Sequence, residues 1–262
     1  MVCERKGLHA IMMKVYKEEI LIHTTHSDVN GQWKPSAILE CMQEAAGVHG
    51  ELIGVGRNAL LKKNVVWVLT RIEVVMDRYP HIGERITVET FPMPVRRFFY
   101  PRYFIFRDEH DVEIGRAGSL WALLDINSHR MASPADVKLL MPDNSDLLAP
   151  LGLPATVTEV SGTIEAADFA PVYTDLDVNG HVNNTKYMDW CCNALGIDTM
   201  RRQCFARFAL NYDMELLPGQ EVHAELRRLG NDFSYCGFHA GKRHFDIGGV
   251  LTDRVQDVTT FR

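Results

Sequence analysis

Apolar residues follow two rhythms along this chain, and both rhythms are met twice. Ile38, Leu39, Met42 and Ala45 fall at helical spacing, as do Tyr187, Trp190, Cys191 and Ala194, so each set predicts the buried stripe of one helix. Ser36 and Thr185 stand near their starts as capping candidates. Around these helices lie alternating segments rich in β-branched and aromatic residues. They predict strands over 17–24, 65–76, 85–91, 98–107 and 112–125, then over 167–172, 204–213, 220–226, 233–240 and 244–252. Short turns join successive strands and favour antiparallel pairing. Each half thus predicts an α+β unit, with its one helix burying its stripe on the concave face of a sheet.

The halves also share a motif. Asp28-Val29-Asn30-Gly31-Gln32 returns as Asp177-Val178-Asn179-Gly180-His181, at an offset of 149 (177 minus 28). At that offset Ser36 meets Thr185, Glu40 meets Asp189, Ala45 meets Ala194 and Gly47 meets Gly196. Further along, Asp77 to Gly83 matches Asp213 to Gly219 at an offset of 136 (213 minus 77), and an alternating strand follows each. The difference places extra residues in the first half, in the loop between Ile53 and Asn64. Two positions acquire ionisable side chains only in the later copy: Gln32 becomes His181, and Tyr79 becomes Glu215. An imidazole exchanges protons near neutral pH and an amide does not. The chemistry is therefore expected in the second half. A stretch containing several Pro residues separates the halves, giving an N-terminal domain over 1–130, a linker over 131–162 and a C-terminal domain over 163–262.

Bulk properties narrow the function without choosing it. The chain has 262 residues and a net charge of −6, which argues against a general nucleic-acid binder. No apolar run reaches the ~20 residues that span a bilayer, and the first residues carry no apolar signal core, so a cytoplasmic protein is expected. Six cysteines without a Cys-x-x-Cys pair are expected to be reduced thiols. His23, His26, His49, His223 and His244 carry no motif support. No set of His, Cys and carboxylates has metal-ligand spacing, so no metal or cofactor is expected. Gly54-Val55-Gly56 follows a helix pattern rather than a strand and is no dinucleotide fingerprint.

Asp175-Leu-Asp-Val-Asn-Gly-His-Val-Asn-Asn-Thr-Lys-Tyr187 resembles the signature of the acyl-acyl carrier protein thioesterases of plastids and bacteria. Trp67-Val-Leu-Thr-Arg71, Asp77-Arg-Tyr-Pro80 and Gly115-Arg-Ala117 ahead of Trp121 resemble their first-domain signature. The resemblance implies a tandem, or double, hotdog: two antiparallel sheets, each wrapped around a long helix. It implies hydrolysis of fatty acyl-carrier thioesters, and its catalytic positions fall on Asp177, Asn179, His181 and Glu215. Leu216 departs from the family, because plastid members carry Cys there. A cysteine nucleophile is thus unsupported.

As chemistry, Glu215 or His181 would take a proton from water, and Asp177 would hold His181 or the water. Asn179 would donate to water or carbonyl, and the amides near Asn183 and Asn184 would face the oxyanion. The resemblance implies an acyl pocket in the first half, where Trp33, Leu39, Met42, Trp67 and Leu69 are candidates. An acidic carrier protein would meet Arg71, Arg78, Arg96, Arg97, Arg102, Lys186, Arg201 and Arg202. The rival activities are an acyl-coenzyme A hydrolase, a dehydratase that leaves the thioester intact, and a non-catalytic acyl-binding module. Two internal repeats stand in for the usual hotdog dimer, and a further homodimer is compatible with them.

Overall fold

The computed structural model describes residues 13–254. The first half contains β1 (Tyr16–Leu21), α1 (Pro35–Leu52), α2 (Arg57–Leu61), β2 (Val65–Met76), β3 (Arg85–Pro92), β4 (Phe99–Arg107), β5 (Glu113–Asp125), β6 (Arg130–Met131) and α3 (Pro134–Val137). The second contains β7 (Ile164–Phe169), α4 (Lys186–Leu195), α5 (Ile197–Arg202), β8 (Gln203–Tyr212), β9 (Val222–Leu229), β10 (Asp232–His239) and β11 (Lys242–Asp253). The ten expected strands are present. The sixth of these, β7, runs earlier than expected, because Pro171 has no N–H for a ladder and a 3-10 turn follows at Tyr173–Asp175.

The strands run in the order β1-β3-β4-β5-β2-β8-β11-β10-β9-β7, with β6 appended to β5. The two sheets expected from the repeat are therefore one. Antiparallel pairing of β2 with β8, from Arg71↔Asn211 to Val75↔Arg207, fuses them edge to edge. Fusion removes one exposed edge from each half. The core is likewise shared. Ile38, Met42, Phe104 and Phe106 pack in one cluster with Met188, Cys191, Phe205 and Phe208.

The two helices differ. Ile38, Leu39, Met42 and Ala45 of α1 are all buried. In α4 the buried stripe is Tyr187, Met188, Cys191 and Leu195, so Ala194, expected inward, is exposed. Gly47 lies inside α1, whereas its counterpart Gly196 adopts φ 85 and ends α4. Ser36 is not the cap of α1. Lys34 is, because Pro35 suits the first helical position, where no N–H is needed.

The segment after α3 crosses the outer face of the sheet strand by strand. Asn144 donates to the Pro92 carbonyl, Tyr103 Oη to that of Gly152, and Pro154 lies against Gly118. The Ala155 N–H reaches Glu73, Val157 covers Gly248, and the Val160 N–H reaches Ser234 Oγ.

On the same face, burial pushes the Asp246 carboxyl up to about 6, against the pull of Arg243 and with the push of Asp213 and Glu159. A carboxyl raised above its unfolded value of ~3.9 favours the fold fully below that value, and the contribution is lost as pH rises through about 6. Asp246→Asn should therefore gain stability relative to wild type as pH rises from ~4 to ~7. Urea midpoints of both proteins across that range check this, and a constant difference would contradict it.

Candidate active site

Two turns of matching geometry flank the central pair of strands. In the first, the Asp28 N–H reaches the Gln32 carbonyl at 2.8 Å and the Gly31 N–H that of Asp28 at 3.0 Å. In the second, Asp177 and His181 form the same bond at 2.8 Å, as do Gly180 and Asp177 at 3.0 Å. Asp28 Oδ1 accepts from the Asn30 N–H at 2.8 Å, and Asp177 Oδ1 from the Asn179 N–H at 2.8 Å. Gly31 and Gly180 supply the left-handed backbone, with φ 71 and 78. The second register also holds in space: Trp33 N–H meets the Pro80 carbonyl as Val182 N–H meets that of Leu216, both at 2.9 Å.

The side chains make the turns different. Asp28 binds Arg254 at 2.6 Å, Arg254 also holds Gln32, and Asn30 donates to the Met200 carbonyl. Among the described residues the later turn has no such clamp. His181 Nδ1 lies 3.1 Å from Glu215 Oε2, with 37% and 62% of the two side chains exposed. A carboxylate can only accept, so the contact suits a ring protonated at Nδ1, and in that tautomer Nε2 is the acceptor. Tyr79, at the position matching Glu215, is buried instead and donates to the Phe205 carbonyl.

Asp177 does not touch the His181 ring as expected. Its carboxylate accepts from the backbone of Asn179 and His181 and, at 3.2 Å, from the Asn179 amide. Its part is to shape the turn. Asn179 is exposed, and that bond occupies one of its amide protons. Leu216 is fully buried. Burial also keeps the described thiols protonated: Cys192 is pushed up to about 12 and Cys236 to about 11, with Cys41, Cys191 and Cys204 raised in the same direction. Among the described residues no thiolate is available near neutral pH.

At the start of α4, the Asn183 N–H is taken by the Asp175 carbonyl, and Asn183 Oδ1 accepts from both the N–H and the hydroxyl of Thr185. The Asn184 N–H has no acceptor among the described residues. Asn184 lines a narrow apolar slot between α1 and the sheet, whose other walls include Leu39, Met42, Leu69, Ile72 and Phe104. Three of the five acyl-pocket candidates, Leu39, Met42 and Leu69, thus meet there. Trp33 packs edge-on to Phe106, and Trp67 packs on Tyr100 in a separate small core. Trp121 of the first-domain signature also lines the slot, as do Gln43 and Ser119, which carry no signal in the sequence.

The basic residues do not form one patch. Arg102 cannot belong to any: it is buried, bonded to His49 Nδ1 at 3.0 Å and to Thr90. Burial lowers its guanidinium to about 10. Arg78 is committed to Glu84 and Asp108. Arg201 and Arg202 precede β8 and Glu215 follows it, so these two arginines are about 30 Å from the site, one ten-residue strand away. Arg71 is half-buried within β2. Arg96 and Arg97 are exposed in the turn before Phe99, which pairs with Ala122 near the His181 end of the sheet. Lys186 opens α4 and pairs with Asp189 at 3.4 Å.

The family model of the acyl-ACP thioesterase N-terminal domain matches residues 13–137, and that of the C-terminal domain matches residues 159–240. The chain belongs to the acyl-ACP thioesterase family. A chloroplastic palmitoyl-acyl carrier protein thioesterase of Arabidopsis thaliana is 28% identical over 214 residues, covering 77% of this chain and 52% of the relative. A chloroplastic oleoyl-acyl carrier protein thioesterase of Coriandrum sativum is 24% identical, covering 76% of this chain and 59% of the relative. This acyl-ACP thioesterase family member thus spans about half the length of the curated relatives it matches. The fold is shared with an acyl-ACP thioesterase from Bacteroides thetaiotaomicron, at TM-score 0.80 and 24% identity, covering 91% of this chain and 98% of that one. It is shared equally with a 12:0-ACP thioesterase from Umbellularia californica, at TM-score 0.79 and 21% identity, covering 95% and 100%. The hotdog architecture is therefore that of the family. Among the described residues no helix is long and apolar enough to cross a membrane.

Proposed function

We propose that this protein hydrolyses the thioester of fatty acyl-acyl carrier protein, releasing a free fatty acid and ending chain elongation. The His181–Glu215 contact carries the reading, because it exists only in the later of two otherwise matching turns. Glu215 holds the ring with Nδ1 protonated, and Nε2 takes the proton of a water molecule. The water oxygen attacks the thioester carbon, and the negative charge moves to the carbonyl oxygen. The free N–H of Asn184, near the positive end of α4, is the donor for that oxygen. The C–S bond then breaks, and the imidazolium returns its proton to the departing thiolate. Asp177 and Asn179 keep the turn in shape.

In this reading the unit over 1–130 lodges the acyl chain in the slot lined by Leu39, Met42 and Leu69. The unit over 163–262 supplies the catalytic set, and residues 131–162 link them. The acidic carrier approaches over Arg96, Arg97 and Lys186, basic residues at that end of the sheet.

The test is turnover on a panel of acyl chains, each linked either to carrier protein or to coenzyme A. Free fatty acid and free carrier thiol are expected, with higher kcat/KM on the carrier arm and a fall with added salt on that arm. Preference for coenzyme A would favour the rival hydrolase, an enoyl product a dehydratase, and tight binding without turnover a non-catalytic module.

A further inference from the structure

A third position separates the two matching halves, and it bears on Glu215. Matched by hydrogen bonds, Ile114 corresponds to His244. The Ile114 carbonyl accepts the N–H groups of Asp77 at 2.9 Å and Arg78 at 3.1 Å. The His244 carbonyl accepts those of Asp213 at 2.9 Å and Met214 at 3.1 Å. Both residues are β-bulges. The register passes from Phe106↔Gly115 to Arg107↔Glu113, omitting Ile114, and from Gly237↔Phe245 to Phe238↔Arg243, omitting His244. Bulges re-aim side chains and recur beside active sites.

The copies use the bulge differently. Ile114 fills the core. His244, only 3% exposed, brings its ring Nδ1 to 2.9 Å from the Glu215 carbonyl oxygen. A carbonyl can only accept, so this Nδ1 carries the proton. One residue thus holds three consecutive backbone positions, 213 to 215, while the Val182 N–H holds the Leu216 carbonyl from the other side. His239 rests edge-on against the His244 ring, with centroids 5.8 Å apart, and is itself fixed to the Glu221 carbonyl. The Glu215 carboxylate is mostly exposed, and His181 is its side-chain partner. Its placement therefore depends on its backbone.

We propose that His244 is a positioning residue, fixing the Glu215 backbone so that the carboxylate stays within reach of His181 Nδ1. The inference rests on His181 and Glu215 being the hydrolytic pair. His244→Leu should lower kcat on acyl-carrier substrate about 10- to 100-fold with KM unchanged, the scale of a small misplacement at a reacting centre. His244→Asn, whose amide can stand where Nδ1 stood, should recover most of the loss. In a Glu215→Gln background, His244→Leu should cause no further fall. If the Leu variant fails to fold, His244→Phe keeps the ring and removes the donor. Folded apolar variants with wild-type kcat, Asn no better than Leu, or losses that multiply in the double variant would each overturn the role. A wild type without hydrolysis, or a Glu215→Gln variant as fast as wild type, would instead refute the site on which the role depends.

Discussion

His181→Ala is expected to lower kcat on an acyl-carrier substrate by about 10²- to 10⁴-fold, the range of a lost general base. The melting temperature should stay near that of wild type, because the side chain is more than one-third exposed and its ring contact is the still more exposed Glu215. His181→Gln is the sharper form of the test, since the first turn already carries Gln32 at the matching position with nearly the same backbone bonds. It should fold as wild type and lose activity as fully as the Ala variant. Glu215→Ala should cost less, because the ring remains but loses its orientation. Asp177→Asn should cost least, because the amide oxygen can still accept the two backbone N–H groups. Single-turnover rates on one carrier-linked substrate rank the three. Wild-type turnover in the His181 variants would remove the proposed site.

The second large effect falls on stability. Arg254 has 8% of its side chain exposed and unites the halves. Its guanidinium meets Asp28 and Gln32 of the first turn, while Nε meets the carbonyls of Met200 at 3.2 Å and Gln203 at 3.0 Å. Arg254→Ala leaves a mostly buried carboxylate without its cation and removes one donor from each of two carbonyls, of which Met200 keeps Asn30, and should cost about 3 kcal/mol. Arg254→Lys should recover little, since one ammonium cannot serve acceptors spread around a planar fork. Urea unfolding measures both. A loss below about 1 kcal/mol for the Ala variant would mean that the clamp is a surface pair in effect. The remaining folded enzyme should retain its kcat, because the clamp lies at the turn that lacks His181 and Glu215.

Together these expectations assign the duplicated turn two different tasks. Where Gln32 stands, the turn is tied down by Arg254 and Met200 and joins the halves. Where His181 stands, it is left open and faces Glu215. On the proposed function, the same backbone serves cohesion in one copy and chemistry in the other.

The sequence by itself determined ten of the strands, the long helix in each half, the repeat, and the two positions, 181 and 215, that gain an ionisable side chain in the later copy; that the two side chains meet is a finding of the structure. The former are local periodicities, or differences between two copies of one turn, and a repeat makes such differences visible. Tertiary structure alone decided the rest. That β2 and β8 fuse the sheets, that Arg102 is buried rather than offered to a partner, and that Arg201 and Arg202 lie a strand away from Glu215 are consequences of which edges pair. Residue type does not encode distance along a partner strand. His244 escaped for a related reason: the offset falls from 136 at Asp77 and Asp213 to 130 (244 minus 114) because the intervening strands and turns are six residues shorter in the second half, so its match to Ile114 appears only when hydrogen bonds are compared.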